Sequence, residues 1–184
     1  MVNILGRSRD HGFDEPLGLL SDCHRRIERF LELLIRVSGE YEGRALDPAA
    51  ADAVRKAQRY FAHAAPRHTA DEEESLFPRM KAAAAARGER CEALERLESD
   101  HGQAGVLHAR VDGLFSRWLR DGAVSFEQSS QLRAILAELR ELYRGHIHVE
   151  DSEVFPLAGR LLSEGELSAV GAEMRARRGL SKGA

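Results

Sequence analysis

His68-Thr-Ala-Asp-Glu72-Glu-Glu-Ser-Leu76-Phe77-Pro78 returns, in altered form, as His146-Ile-His-Val-Glu150-Asp-Ser-Glu-Val154-Phe155-Pro156. Both stretches read His-x-x-x-Glu. Both place an aliphatic residue, Phe and Pro at the eighth, ninth and tenth positions after the His. A lone His precedes each motif, His24 in Ser21-Asp22-Cys23-His24 and His101 in Ser99-Asp100-His101. The lone histidines are 77 residues apart and the motif histidines 78. The order His, His-x-x-x-Glu, His, His-x-x-x-Glu thus describes two halves with one pattern. On a helix, side chains four residues apart stand on one face, a turn apart, so each His–Glu pair can serve one site.

The punctuation around these motifs predicts an all-α fold, an up-down four-helix bundle with a short C-terminal fifth helix. The first helix starts at Asp14 as N-cap, with Pro16 in its first turn, and runs to about Val37. The second opens at the Asp47-Pro48 cap and runs to about Ala86, ending at Gly88, with Pro66 kinking it just before His68. The third runs from about Arg90 to Arg120 and stops at Asp121-Gly122. Ser125 with Gln128 forms a capping box for the fourth, and Ser163 with Glu166 caps the short fifth. Sustained period-two alternation is absent and β-branched residues are few. Residues 1–13 read as an N-terminal segment, 14–162 as the bundle, and 163–184 as the short helix and tail.

The chain has 184 residues, enough for one domain with a real core. Its net charge of −3 gives no electrostatic case for nucleic acid or a membrane surface. The basic stretch Arg175–Lys182 reads as a complement to a helix C-terminus or as solvated charge. The opening residues lack a signal-peptide core, and no run approaches a membrane span. Cys23 and Cys91 do not make a disulfide framework, and a cytoplasmic protein with reduced thiols is expected.

The histidines fall on apolar stripes. Leu17, Leu20, His24, Ile27, Leu31 and Leu34 step by threes and fours, as do Leu94, Leu97, His101, Ala104, His108 and Val111. Leu132, Ile135, Leu139, Leu142 and His146 continue the pattern in the fourth helix, and Phe61, His68, Glu72 and Leu76 share a face in the second. One such His is ordinarily a satisfied core residue. Four of them, one per long helix at matched intervals, converge on one level. Glu72 and Glu150 aimed at an apolar core would be costly without positive partners, and a pair of metal ions removes that cost. The competing reading makes Glu72 part of a solvated acidic cap and Glu150 half of a salt bridge at a helix end. Within Asp71-Glu-Glu-Glu74, Asp71 and Glu73 are expected to face solvent.

The candidate ligands are therefore His24, His68, Glu72, His101, His146 and Glu150. Imidazole and carboxylate without thiolate suit iron or manganese and can accept zinc. His108, about 10 Å along the axis from His101, reads either as a channel or supporting residue or as a plain core His. Tyr143, a turn before His146, either hydrogen-bonds near the site or is a boundary tyrosine. His11, His63 and His148 read as non-ligands.

Taken together these motifs resemble the hemerythrin-like, or HHE cation-binding, family over about residues 14–162. The resemblance implies a non-haem di-iron centre, two iron ions joined by an oxo or hydroxo bridge, with the two carboxylates spanning them. In oxygen-carrying relatives a further His follows the third-helix ligand by four residues; here that position is Gly105. Those carriers also use a wider His-to-Asp spacing in the last helix, where this chain has His146-x-x-x-Glu150. The resemblance therefore points to a bacterial hemerythrin-like protein that binds or senses oxygen, nitric oxide or redox state, or handles iron. The alternative is a di-iron redox enzyme acting on peroxide, oxygen or nitric oxide, or an iron–sulfur cluster repair protein. A diatomic or peroxide is the expected small partner; the sequence indicates no particular protein partner.

Overall fold

In a computed structural model, which describes residues 10–180, every regular element is helical. The first rod is α1 (Pro16–Glu40). The second is broken into α2 (Pro48–His63), α3 (Ala65–Ala70), a wide turn π1 (Asp71–Leu76) and α4 (Phe77–Ala85). The third is α5 (Glu92–Asp121). The fourth joins α6 (Phe126–Val149), a second wide turn π2 (Glu150–Val154) and α7 (Phe155–Leu161), and the short α8 (Glu164–Arg177) follows. Around the bundle α1 packs on α2 and α6, and α6 on α5; α2 and α5 touch more sparsely. Among the described residues no strand occurs, and no helix is long and apolar enough to cross a membrane.

Several boundaries follow the expected caps. The Asp47 carboxylate accepts the Ala50 N–H at 2.7 Å. Both capping boxes, Ser125 with Gln128 and Ser163 with Glu166, are formed in full. The left-handed φ of +78° at Gly122 ends α5, a conformation that glycine takes without a Cβ penalty. Asp14, by contrast, does not cap α1: Glu15 holds that position without a side-chain bond, and Pro16 takes the first helical place, where its missing N–H costs nothing. The second rod breaks at Ala64 rather than bending smoothly, because Pro66 is accommodated in the first turn of a new helix, α3.

The two wide turns were not legible as such. At each, an N–H reaches back five residues, Phe77 to the carbonyl of Glu72 and Phe155 to that of Glu150. Pro78 and Pro156 lie just beyond, in the first turns of α4 and α7, where a missing donor is tolerated.

Two apolar cores result. One gathers Ile27, Leu31, Leu34, Val111, Phe115 and Leu139 with their neighbours; the other gathers Leu20, Leu76, Phe77, Leu97, Val154 and Phe155 with theirs. Leu20 and Ile27 flank His24 in sequence and belong to different cores, as do Leu97 and Ala104 around His101. The histidines therefore form a polar layer between two apolar ones.

Helix α8 seals one side of this layer. Asp71 is not solvent-facing as expected but fully buried, held by Arg177 at 2.8 Å and Arg178 at 2.7 Å. Arg177 also donates to Ser75, and Arg79 pairs with Glu173 of α8. The basic tail serves the end of α8, where Arg178 donates to the Met174 carbonyl at 2.7 Å, and it also neutralises a carboxylate inside π1. The chain before α1 packs on α8 too: Arg175 lies over the Phe13 ring at 4.7 Å, and Gly171 meets the Phe13 carbonyl so closely that no β-carbon fits.

A buried ion pair resists loss of one partner more than loss of the other when only one can reach water. Replacing both Arg177 and Arg178 by Ala strands Asp71 and should destabilise by about 3–5 kcal/mol. Asp71→Asn should cost much less, since both guanidinium groups are about a fifth exposed and can hydrate. Urea denaturation of the two variants checks the order.

Candidate metal centre

All six candidate side chains meet in the polar layer. His24 comes from α1, His68 from α3, Glu72 from π1, His101 from α5, His146 from α6 and Glu150 from π2. Glu72 and Glu150 are fully buried, and His24, His68 and His146 nearly so. Ligand atoms of His24, His68, Glu72 and Glu150 lie within 4.8 Å of one another, and those of His101, His146 and Glu150 form a second such group. Glu150 is common to both. Its Oε2 stands 3.1 Å from Nε2 of His24 and 3.1 Å from Nε2 of His146, which belong to different groups. Glu72 also spans them: Oε1 is 3.5 Å from Nε2 of His68, and Oε2 is 3.3 Å from Nε2 of His101.

These contacts are not a hydrogen-bond network. Nε2 of His24 and His101, Nδ1 of His68 and His146, and all four oxygens of Glu72 and Glu150 are buried without a hydrogen-bond partner. Unsatisfied buried polar atoms each cost roughly 1–3 kcal/mol, so a cluster of them is not a stable end in itself. Separations of 3.1–3.5 Å are those of neighbouring donors around a common ion with bonds of about 2.1 Å. Each of the two groups has the donors to hold a metal ion, and Glu150 belongs to both.

The outer partners repeat with the motifs. Nδ1 of His24 is 3.1 Å from Asp151, which also accepts from Ser21. Nδ1 of His101 is 2.9 Å from Glu73. Asp151 and Glu73 each follow a motif glutamate directly, so each motif supports the lone His of another helix. A carboxylate on Nδ1 holds that nitrogen as the donor and turns the Nε2 lone pair inward. Glu73 remains partly solvent-exposed, as expected, and also supports His101. The aromatic of each motif does the same service: Phe155 stacks on His24 at 5.5 Å, and Phe77 on His101 at 6.4 Å. The signal for these partners was present in the acid-after-glutamate pairs Glu72-Glu73 and Glu150-Asp151 and in the repeated Phe.

Electrostatics reflects the crowding. Burial and the nearby Glu150 carboxylate push the Glu72 carboxyl well above its usual range. Burial works the same way on Glu150, but the nearby His146 and His24 rings outweigh it and hold this carboxyl well below normal. Burial lowers His24, yet Asp151, Glu150 and Glu72 together raise it to about 10. Burial and neighbouring imidazoles drive His68 far down. One carboxyl pushed up and its mate pulled down is the signature of too much negative charge in one dry place.

The remaining histidines sit elsewhere. His63 and His148 are exposed. His11 is tied to Asp22 on α1, its N–H 2.6 Å from Oδ2. His108 bonds Tyr143, Nε2 to Oη at 2.8 Å, and stacks on Phe61. Both line a cavity of about 500 Å³ that also reaches His24, His68, His101 and His146. His108 is thus a wall residue of that cavity, and Tyr143 is its partner rather than a plain boundary tyrosine. Cys23 and Cys91 are both free.

Residues 15–158 match the family model of the hemerythrin HHE cation-binding domain, and the chain belongs to that family. An uncharacterized protein of Haemophilus influenzae is 27% identical over 177 residues, which cover 96% of this chain and 98% of that protein.

His68→Ala and His146→Ala should each lower bound metal and melting temperature together, because an ion bound only by the native state stabilises it. His63→Ala and His148→Ala should change neither; metal analysis with thermal melts separates the two pairs. A further expectation concerns pH. Burial lowers His108 to about 4. Above pH 6.5 neither folded nor unfolded His108 carries a proton. As pH falls from about 6.5 toward 4 the unfolded chain gains one first, and up to roughly 3 kcal/mol of stability is lost. His108→Gln should therefore flatten the fall in melting temperature between pH 7 and pH 4.5.

Proposed function

We propose that this protein is a non-haem di-iron protein whose metal pair binds a small ligand, oxygen, nitric oxide or a peroxide, in a sensing or iron-handling role. The observation that carries the reading is the set of buried atoms without hydrogen-bond partners at the centre, Nε2 of His24 and His101 and the four oxygens of Glu72 and Glu150, lying in two donor groups that share Glu150. Iron is favoured over softer choices by the donors themselves, imidazole and carboxylate with no thiolate among them. When bound, an iron pair supplies Lewis acidity and reversible one-electron redox change.

The chain's own residues account for the rest. Glu72 turns Oε1 toward His68 and Oε2 toward His101, and Oε2 of Glu150 stands between His24 and His146, so both carboxylates would serve both positions. Asp151 and Glu73 keep Nδ1 of His24 and His101 protonated, leaving Nε2 to ligate. Phe77 and Phe155 cover the inner imidazoles and exclude water from one side of the layer. The cavity lies on the other side and gives a small molecule its approach. Gly105, in the α5 wall, leaves that approach wide: a β-carbon there would meet nothing within 4 Å.

That approach also supports a second reading, a redox enzyme that reduces peroxide, oxygen or nitric oxide. Turnover with peroxide or nitric oxide and a chemical reductant separates the two. The metal reading itself is tested by elemental analysis of protein expressed with ample iron. About two irons per chain are expected from the six-donor count, and azide should perturb the visible spectrum. Zinc alone, or one ion per chain, would overturn it. Gly105→His should narrow the approach and weaken azide binding without reducing the iron content.

A further inference from the structure

The cavity is far larger than the ligands named above require. A diatomic is comparable to a water molecule, whose share of liquid volume is about 30 Å³. The cavity holds about 500 Å³, within the range of about 300–1,000 Å³ usual for sites that take organic molecules. It runs along the sparse seam between α2–α3 and α5. Small side chains keep the seam open, Ala62 and Ala65 on one wall and Ala104, Gly105 and Ala109 on the other. At the far end Gln58 of α2 donates to Asp112 at 2.8 Å and to Ser116 at 2.9 Å on α5, tying the helices together there.

The chemistry of the walls changes along the length. At the inner end stand His24, His68 and His101, each with a buried ring nitrogen that no hydrogen bond satisfies. Beyond them, as far as Gln58 and Asp112, the surface is mostly apolar, with Thr69 among its lining. His108 and Tyr143 interrupt it only nominally, since they satisfy one another at 2.8 Å, and Phe61 stacks on the His108 ring at 4.1 Å. What a ligand meets at that level is largely aromatic and aliphatic surface.

We propose that this groove binds a small organic amphiphile, a molecule with an oxygen-anion head directed at the donor cluster and an apolar body lying along the Ala–Gly seam. The choice of head rests on the metal reading above: two divalent or trivalent ions held by two carboxylates and neutral imidazoles leave the inner end positive. The body spans roughly four to eight carbons, the reach from His101 to His108 being about 10 Å along the helix. A fully polar ligand would leave the apolar walls wet, and a diatomic would leave most of the volume to water.

Titration calorimetry with octanoate, acetate and azide tests this on the purified full chain, with metal content read on the same sample. Octanoate should bind at least ten-fold more tightly than acetate, since a buried methylene strengthens binding by up to about fourfold. In Gly105→Leu that preference should collapse to near one, because the new side chain fills the seam. The substitution introduces no clash at the β-carbon and exchanges a poor helix former for a good one, so the variant should fold. A metal-loaded protein that binds azide but treats octanoate like acetate overturns the groove and leaves the metal centre standing. An unchanged octanoate preference in Gly105→Leu also overturns it. A protein that takes up no metal overturns the metal reading, and the groove then stands only if octanoate is still preferred over acetate.

Discussion

Two carboxylates, Glu72 and Glu150, lie at the middle of a helical bundle with no exposure to water and no hydrogen bond to any oxygen. Removing a charged carboxylate from water costs several kcal/mol even after relaxation. The imidazoles offset that burden only in part: His24 is raised by the acids around it, but His68 is driven toward its neutral form. The rest of the molecule is arranged around this layer. Apolar cores close it above and below, α8 neutralises Asp71 at its edge, and the outer carboxylates orient two of the four rings.

The layer is built by exchange between the halves. Each motif contributes a His and a Glu to the centre, then sends the next acid and a later Phe to the lone His of a different helix. Asp151 and Phe155 reach His24 on α1; Glu73 and Phe77 reach His101 on α5. A motif of eleven residues is thus one functional unit, because one end binds at the centre and the other end supports a ring across the bundle. Neither half can complete its own lone His, so the centre forms only when both halves are docked.

Much of this was legible in the chain. The His-to-His intervals and the apolar stripes around His24, His101 and His146 placed the four rings at one level, and the Asp47, Ser125 and Ser163 caps set helix starts. What escaped was of two kinds. The position of Asp71 depends on α8, which returns from a hundred residues away to bring Arg177 and Arg178 against it; an acidic run in isolation reads as solvated. The open seam depends on how α2 and α5 pack: Gly105 stood out in sequence only as a missing His, and Ala62, Ala65 and Ala109 look like ordinary helix surface. The wide turns escaped because a five-residue hydrogen bond leaves no local propensity signal; only the phase of the residues beyond it changes.

That change of phase has a consequence for which alterations the chain can absorb. An α-helix turns about 100° per residue, so the additional residue in π1 and in π2 rotates everything beyond it by about that angle. Leu76, Phe77, Val154 and Phe155 reach the core only with that rotation in place. Exchanges of side chain within the exposed part of the turns, such as Glu74 or Ser152, are absorbed locally. Deleting a single residue there would be different: the helix would close to its regular form and swing Phe77 or Phe155 off its imidazole. These two short segments are therefore tolerant of substitution only at their few exposed positions and intolerant of any change in length, the reverse of a surface loop.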